Sequence, residues 1–299
     1  MRERVAYARG SAGLPRACAL LVCGLFMYTT PAYAAPPLVL VVAADASDFV
    51  LAAGGTIAKM AEAGSAVYVI RVTNDEKDSW GLPPEETALR ARAEADSAAR
   101  ALGVKEAISL GYRAAELADV SFSGIRDRLI FYIRHYKPSV MFIPNPYSEY
   151  DRVLDRYYTG AAAEDAFRVA ALENFQLPHG DVGLAPHLTP ELYYYAQPLD
   201  PRRKEPESTA TFVPRPKSVD IASTLPKKLA AAAALKTSNE STARRLKARL
   251  DATGRRLPIL DTVDESSIKR LAEINVRGLG TTEEFRYAGV EFRIPRKYR

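Results

Sequence analysis

Two carboxylates and a hydroxyl follow directly on an apolar segment near the start of the sequence. Asp45, Ser47 and Asp48 come after Leu38–Ala43, a stretch made only of Leu, Val and Ala. In an open parallel sheet, ligands bind beyond the carboxyl ends of the strands, so these side chains lie where chemistry is expected. Carboxylates there can hold a divalent cation or transfer protons, whereas a serine hydroxyl needs a separate base before it can act.

A second polar stretch, residues 144–160, follows the fourth predicted strand. It contains Asp155 and Arg156 together with four tyrosines, Tyr147, Tyr150, Tyr157 and Tyr158. Long connections in compact domains are often functional. Tyrosines at the rim of a site can bind a sugar by stacking, or they can pack the loop down with the hydroxyl outward, and the sequence leaves both roles open.

Apolar segments alternate with helical patterns in the first part of the chain. Strands are predicted at 38–43, 66–72, 107–110, 139–143 and 191–196, and helices near 50–63, 85–102, 123–136 and 159–174. The first four strands are short and continuously apolar, as buried parallel strands are. This pattern predicts an α/β fold, Rossmann-like, with a mostly parallel sheet and helices on both faces.

The C-terminal part has a different pattern. Residues 198–217 contain five prolines and are expected to form a loop or linker. One long Ala-rich helix is predicted near 225–250, then a short helix near 265–276 and an irregular basic tail. We therefore expect a single domain over 35–299 with a helical and irregular extension over about 225–299.

Residues 1–34 have the composition of an export signal. Four arginines precede the apolar run 17–27, and Ala32-Tyr33-Ala34 forms a small-x-small cleavage site. The apolar run is too short to cross a bilayer, which needs about 20 residues. We expect a signal peptide cleaved near Ala34, a periplasmic or secreted protein, and no transmembrane segment in the mature chain.

Charge and cysteine content narrow the possible partners. Removing residues 1–34 takes away four Arg and one Glu, so the net charge falls from +5 to +2 and gives no argument for nucleic acid. Both cysteines, Cys18 and Cys23, lie in that segment, which leaves no thiolate metal ligand. Neither G-x-G-x-x-G after the first strand nor G-x-x-x-x-G-K-[ST] occurs, and Gly54-Gly55-Thr56 is interpreted as serving close helix–sheet packing.

The order of motifs resembles the PIG-L/LmbE family of zinc-dependent de-N-acetylases. Members share a strand of the type V-L-V-V-A, then A-H-P-D-D-E, then V-L-x-x-G-G-T-I-A, and residues 39–43 and 50–58 match the first and last of these. Further matching stretches are 89–104, 110–112, 137–143, 191–198 and 219–231. The resemblance covers about 38–240 and implies an LmbE-like fold, amino-sugar substrates and a zinc-bound water.

Most of the catalytic and metal-binding residues of the first family motif are replaced in this sequence. The resemblance places Asp45 at the position of a metal-binding His and Ser47 at that of the general-base Asp. Asp48 keeps the position of a metal-binding Asp, and Phe49 replaces the Glu that follows it. A serine hydroxyl cannot serve as the base, so these positions are predicted to form a vestigial site.

The second family motif, H-P-D-H, is equally changed. Val153 and Arg156 replace its two histidines, and only Asp155 is kept. The Asp-Gly after L-G-Y-x becomes Ala114-Ala115, and Leu235 replaces a late histidine. A guanidinium is always charged and donates no lone pair to a metal, so the sequence predicts that the zinc cofactor of the family is absent.

Arg156 offers a substitute for the charge of the metal. Two carboxylates at a strand end resist burial without a cation, and a guanidinium can bind both by charge-assisted hydrogen bonds. We therefore expect Arg156 about 2.7–3.2 Å from Asp48 or Asp45. Asp48 is also predicted to cap a helix that begins near Val50, because Asp is a common N-cap.

The sequence has three histidines. His135 is predicted to end a helix, where a cation suits the dipole. His179 and His187 lie in a Gly- and Pro-containing loop expected on the same rim as the site. They are interpreted as solvated, with the alternative that one of them, with Asp181, joins Asp45 and Asp48 as a metal ligand.

Three functions remain open from the sequence. The first is a pseudoenzyme of the family that binds a saccharide or glycoconjugate in the cell envelope. The second is an active metal-dependent de-N-acetylase with non-standard ligands, because carboxylates suit Mg²⁺, Mn²⁺ or Ca²⁺. The third is a non-catalytic envelope scaffold. The sequence does not set the oligomeric state.

Overall fold

The computed structural model describes residues 36–147, 153–195 and 215–288. The predicted signal segment, Tyr150 and most of the Pro-rich segment 198–217 lie outside the described residues. The strands are β1 (Leu38–Ala43), β2 (Ala66–Thr73), β3 (Glu106–Tyr112), β4 (Val140–Pro144), β5 (Glu191–Tyr195), β6 (Arg215–Asp220) and β7 (Thr282–Ala288). The helices are α1 (Ala46–Glu62), α2 (Pro84–Ala101), α3 (Phe122–Tyr136), α4 (Leu154–Val169), α5 (Pro178–Asp181), α6 (Leu225–Ala234), α7 (Lys236–Ala252) and α8 (Glu265–Gly278).

The described strands form one mixed sheet in the order β3-β2-β1-β4-β5-β7-β6. Its first five strands are parallel, and β7 runs antiparallel to both β5 and β6. The strand order reverses at β1, which has β2 on one side and β4 on the other. In open α/β sheets, ligands bind in the crevice at the point where the strand order reverses, so the carboxyl end of β1 is a natural position for a site.

Two apolar layers enclose the sheet, because successive side chains of a strand point to opposite faces. Val39 and Val41 of β1 pack with α1, α2 and α6, whereas Leu40 and Val42 pack with α3 and α4. All four are completely buried. The predicted α/β fold with helices on both faces is therefore confirmed, and β1 is an interior strand of its sheet.

Helix α1 starts earlier than the sequence suggested. Asp45, not Asp48, is its N-cap, since the Asp45 side chain accepts a hydrogen bond from the backbone N–H of Asp48. The prediction that Asp48 caps a helix beginning near Val50 is wrong. A cap placed directly after β1 leaves Asp48 in the first turn of α1 with its side chain directed into the protein.

The sequence predicted close helix–sheet packing at Gly54-Gly55-Thr56 of α1, whereas the close contact is with the segment after β6. A Cβ at Gly55 would lie 2.5 Å from Ile221 Cδ1, closer than real carbon contacts allow. Thr224 also donates a hydrogen bond of 2.8 Å from Oγ1 to the carbonyl of Gly55. The missing side chain thus lets the segment after β6 lie directly on α1.

Three sequence expectations for helices and tail are corrected. Helix α4 covers Leu154–Val169 instead of 159–174, so Tyr157 and Tyr158 belong to its first turns. The long Ala-rich helix is interrupted at Leu235, whose φ and ψ of −80° and 59° are not helical. The expected irregular tail instead contains β7, which pairs with β5 and β6 inside the sheet.

The described residues contain no helix of sufficient length and apolarity to span a membrane.

Candidate functional site

Asp48 is the most deeply buried carboxylate at the end of β1. Its side chain is 0% exposed. Oδ2 accepts hydrogen bonds from the backbone N–H of Ala44 at 3.2 Å and from the Tyr195 hydroxyl at 3.1 Å. Burial raises the pKa of Asp48 to about 7, against the opposing effect of the Arg156 charge. This carboxyl therefore titrates near neutrality.

Arg156, in the first turn of α4, faces both carboxylates of the first motif. Its Nε lies 3.2 Å from Asp48 Oδ1, and its Nη2 lies 3.7 Å from Asp45 Oδ2. The first distance agrees with the ion pair expected from the sequence. Asp48 Oδ1 has no partner in hydrogen-bonding geometry among the described residues, so this contact is an ion pair with imperfect alignment.

Asp45 and Ser47 form the mouth of the same cluster. The Ser47 hydroxyl donates to Asp45 Oδ1 at 2.6 Å, and the same oxygen accepts from the Asp48 N–H at 2.8 Å. The side chain of Asp45 keeps 17% exposure and Ser47 is half-buried. Ser47 is thus a hydrogen-bond donor to a carboxylate at the position where the family resemblance places a base.

Tyr195 completes the cluster and was not predicted as a site residue. It lies at the last position of β5, is 1% exposed, and donates to the carbonyl of Val42 at 2.7 Å as well as reaching Asp48. Burial raises the pKa of this phenol well above its usual value, so it stays protonated. The one indication in the sequence was its position at the carboxyl end of a predicted strand. It was overlooked because the three consecutive tyrosines of that strand were interpreted as core and sheet-face residues.

The segment after β2 adds two further carboxylates that sequence reasoning missed. Asp75 is 2% exposed, pairs with the buried Arg71, and accepts a hydrogen bond of 3.3 Å from the Ala46 N–H. Burial raises the pKa of Asp75 to about 6. Burial, followed by the charges of Asp45 and Asp75, raises the pKa of Asp78 to about 8. The carboxylates that follow β1 and those that follow β2 therefore repel one another.

Asp155 does not join Arg156, although the two are adjacent in the sequence. Its carboxylate accepts hydrogen bonds from the N–H of Ala115 at 2.5 Å and of Leu117 at 3.3 Å. Consecutive residues of a helix point about 100° apart, so the start of α4 sends Arg156 to the site and Asp155 to the loop after β3. Asp155 holds that loop, in which Ala115 has a φ of 60°.

The histidines lie at the opposite edge of the sheet, so their expected place on the rim of the site is wrong. His187 is 2.7 Å from the carbonyl of Pro138, just before β4, and His179 Nδ1 is 3.3 Å from Arg134 Nη1 near the end of α3. Helices α3 and α4 run back along the sheet, and the segment after α4 therefore begins at the amino ends of the strands. Neither His179 nor His187 can replace a ligand beside Asp45 and Asp48.

The tyrosines of the second motif divide into two groups. Tyr147 and Tyr157 are 56% and 49% exposed, and the Tyr147 hydroxyl donates to Glu164 at 2.7 Å. Tyr158 packs against the apolar layer beneath α3 and α4. Of the described tyrosines in this stretch, only Tyr147 and Tyr157 are therefore exposed.

The donor set does not fit the zinc of the family. No group of three or more His, Cys, Asp or Glu among the described ranges is arranged to hold a metal ion. Asp48 faces a guanidinium, Asp155 is turned away, and the only other carboxylate of the first motif, Asp45, caps α1. The positive charge of Arg156 would repel a metal ion placed between Arg156 and Asp48.

A mostly parallel sheet of this order, with helices on both faces, is an α/β fold of the LmbE-like kind. Residues 40–167 match the PIG-L family, described as GlcNAc-PI de-N-acetylase. The chain therefore contains a PIG-L domain, and the family resemblance of its sequence is confirmed.

Individual relatives agree with that assignment. A diacetylchitobiose deacetylase of Thermococcus kodakarensis is 27% identical over 150 residues, which cover 50% of this chain and 55% of that protein. The match thus spans little more than half the length of this curated relative.

Solved structures extend the likeness over most of the fold. An N,N′-diacetylchitobiose deacetylase of Pyrococcus horikoshii has a TM-score of 0.63 at 24% identity, with 86% of each chain covered. A 4-carboxy-2-hydroxymuconate hydratase of Pseudomonas putida KT2440 has a TM-score of 0.55 at 20% identity, covering 85% of this chain and 96% of its own. These likenesses establish the fold, which is shared by proteins with different named reactions.

The raised pKa values at the site predict that stability falls as pH rises. A carboxyl with a pKa near 4 when unfolded and a higher pKa when folded binds more protons in the folded state between the two values. The free energy of unfolding should therefore be lower at about pH 9 than at about pH 5.5. In Asp78→Asn this decrease should shrink by about 1 kcal/mol or more, since one pKa unit is worth about 1.4 kcal/mol.

Urea unfolding at the two pH values measures this effect. Glu173→Gln, which removes an exposed acid far from the cluster, is the matched control and should keep the wild-type decrease. An unchanged pH dependence in Asp78→Asn would show that the pKa of this carboxyl is not raised in the folded protein.

Proposed function

We propose that this chain is a pseudoenzyme of the PIG-L/LmbE family. It has exchanged the zinc site for an internal ion pair, and it binds a saccharide or glycoconjugate in the cell envelope after export and cleavage near Ala34. The observation that carries the proposal is the position of Arg156 Nε, 3.2 Å from Asp48 Oδ1. The guanidinium supplies the positive charge that a metal provides in a catalytic zinc site, but it activates no water.

Exposed rings beside the cluster support the ligand part of the proposal. Tyr147 and Tyr157 are each about half exposed at the carboxyl edge of the sheet. Aromatic faces of this kind stack on sugar rings at little conformational cost. Loss of the base and metal ligands removes hydrolysis without removing such a surface, and this favours a binding protein over a scaffold with an unused pocket.

Metal content and hydrolysis test the proposal together. Purified protein should contain well under one zinc per chain, should melt at the same temperature with and without chelator, and should release no acetate from N,N′-diacetylchitobiose above a heat-denatured control. The variant Asp45→His/Ser47→Asp/Arg156→His restores the family pattern at three positions and should take up zinc. Stoichiometric zinc in the wild type, or chelator-sensitive acetate release, would overturn the pseudoenzyme assignment and favour an active metal-dependent de-N-acetylase.

A further inference from the structure

A buried arginine of α3 holds the segment that follows α4. Arg134 is 2% exposed. Its Nε donates to the carbonyl of Ala170 at 3.1 Å, and its Nη2 donates to that of Leu172 at 2.9 Å. Its Nη1 lies 3.4 Å from the carbonyl of Gln176 and 3.3 Å from His179 Nδ1. One guanidinium therefore ties four points of this segment to α3.

The contact with Arg134 requires a neutral imidazole at His179. A guanidinium has five N–H donors and no acceptor, so Nδ1 of His179 is the acceptor and the ring proton lies on Nε2. A protonated imidazole carries N–H groups at both positions, so it would bring a donor and a second positive charge against the guanidinium. In the part of the chain that the structure describes, Arg134 pairs with no carboxylate, and burial lowers its pKa. The extra charge would therefore meet an uncompensated buried cation.

The acids of α3 and α4 do not remove this conflict. Burial and the Arg134 charge lower the pKa of His179, and the charge of Asp127 opposes them. Asp127 already pairs with Arg126 at 2.8 Å, and Asp165 of α4 lies 3.4 Å from the same arginine. Both carboxylates are therefore directed to another cation.

The remaining titratable groups of this region lie at the surface. Phe131 of α3 contacts the rings of both His179 and His135, with centroid distances of 6.2 and 5.8 Å, and His135 is exposed. Glu173 and Asp181 of the segment itself are also exposed, where solvent and salt screen their charges. The buried guanidinium is therefore the largest charge effect on the imidazole.

We propose that Arg134 and His179 form an acid-sensitive latch. With a neutral imidazole the latch holds residues 170–184 on α3, and when His179 binds a proton this segment opens locally. The carbonyl of His179 accepts the N–H groups of Val182 and Leu184, so displacement of this residue also loosens the turn after α5. The latch operates whether or not the protein binds a saccharide.

Opening of the latch enlarges an apolar surface. Phe175 packs against the apolar layer of α3 and α4, and Arg126 lies over its ring at 5.4 Å from the centroid. Leu177 and Val182 of the same segment are exposed even when the latch is closed. Acid conditions should therefore add Phe175 to the apolar side chains that this segment presents to solvent.

Hydrogen exchange of the full chain, followed by mass spectrometry at about pH 5 and about pH 7.5, measures the opening. After correction for intrinsic exchange, peptides of residues 170–184 should open about tenfold more at the lower pH. The limit is about thirtyfold for a histidine whose pKa is near 6.5 once released, because the open state then binds more protons. Exchange of β1 should not rise, since the raised carboxyl pKa values beside that strand favour the folded state at lower pH.

Two histidine variants assign the effect. His179→Gln keeps an acceptor oxygen that does not titrate, so its segment should open equally at both pH values. His187→Gln is the matched control, because His187 Nε2 lies 2.7 Å from the carbonyl of Pro138 and a protonated imidazole can still donate there. This variant should keep the tenfold difference. NMR titration of the wild type should give His179 a pKa below its usual 6.5.

Each other result contradicts the latch. Equal opening at both pH values in the wild type overturns it, and so does an unchanged pH dependence in His179→Gln, because another group would then drive the opening. A rise in exchange throughout the sheet would mean acid unfolding of the whole protein instead of a local event. If His179→Gln does not fold, the NMR titration decides, and a pKa of His179 at or above 6.5 overturns the latch.

Discussion

Replacing Arg156 by glutamine should lower the free energy of unfolding by about 3 kcal/mol at about pH 9. The substitution leaves Asp48 fully buried without the cation that faces it. The expected loss lies at the lower end of the range for a broken buried pair, because 12% of the Arg156 side chain stays exposed. Urea unfolding of the wild type and the variant measures the difference.

The pH dependence of this loss distinguishes an ion pair from simple packing. Asp48 has a pKa of about 7 with Arg156 present, and removing a positive neighbour raises it further. At about pH 5.5 the carboxyl of the variant is neutral and needs no cation, so the destabilisation should be clearly smaller than at about pH 9. A packing defect would cost the same at both pH values.

Two controls accompany the Arg156 variant. Arg90→Gln removes an exposed arginine from an ion pair with Glu86 and should cost no more than about 1 kcal/mol. Asp48→Asn combined with Arg156→Gln removes both charges and should recover part of the stability lost in the single variant. If Arg156→Gln is no more destabilising than Arg90→Gln at either pH, Arg156 does not replace the charge of a metal.

The sequence predicted the parts of the fold whose signals are local. Strands β1 to β5 are apolar segments between helical patterns, and the structure contains all five in parallel. Asp45, Asp48 and Arg156 were expected to meet because the family resemblance places the strands before them side by side, and they do meet. Periodicity was sufficient for the strands, whereas the neighbouring position of β1 and β4 was implied by the family resemblance.

Other parts depended on contacts that no local pattern reveals. Strand β7 carries charged residues and lacks an apolar run. One of its acids, Glu283, is buried together with its ion-pair partner Lys228, which lies far away in the sequence. Asp75 and Tyr195 join the site through tertiary neighbours. The histidines were misplaced because the direction of α4, not the sequence of the loop, decides the edge of the sheet at which that loop lies.

Replacing Glu283 of β7 by glutamine should destabilise the protein by about 3–5 kcal/mol. Glu283 Oε1 lies 2.6 Å from Lys228 Nζ of α6, and both side chains are almost completely buried. The same carboxylate accepts hydrogen bonds from the N–H groups of Gly55 and Thr56, at 2.9 and 2.8 Å, in the middle of α1. A neutral amide keeps the shape of the side chain but leaves the Lys228 ammonium buried without a counter-charge.

The neighbouring Glu284 provides a matched control, because it is exposed and Glu284→Gln should change stability by less than about 0.5 kcal/mol. Lys228→Met combined with Glu283→Gln removes both charges and should recover most of the loss. Equal effects of Glu283→Gln and Glu284→Gln in urea unfolding would contradict a buried ion pair. The expected difference would instead mean that the C-terminal segment, which resembled an extension in the sequence, holds α1, and α1 carries Asp45, Ser47 and Asp48 at its first turn.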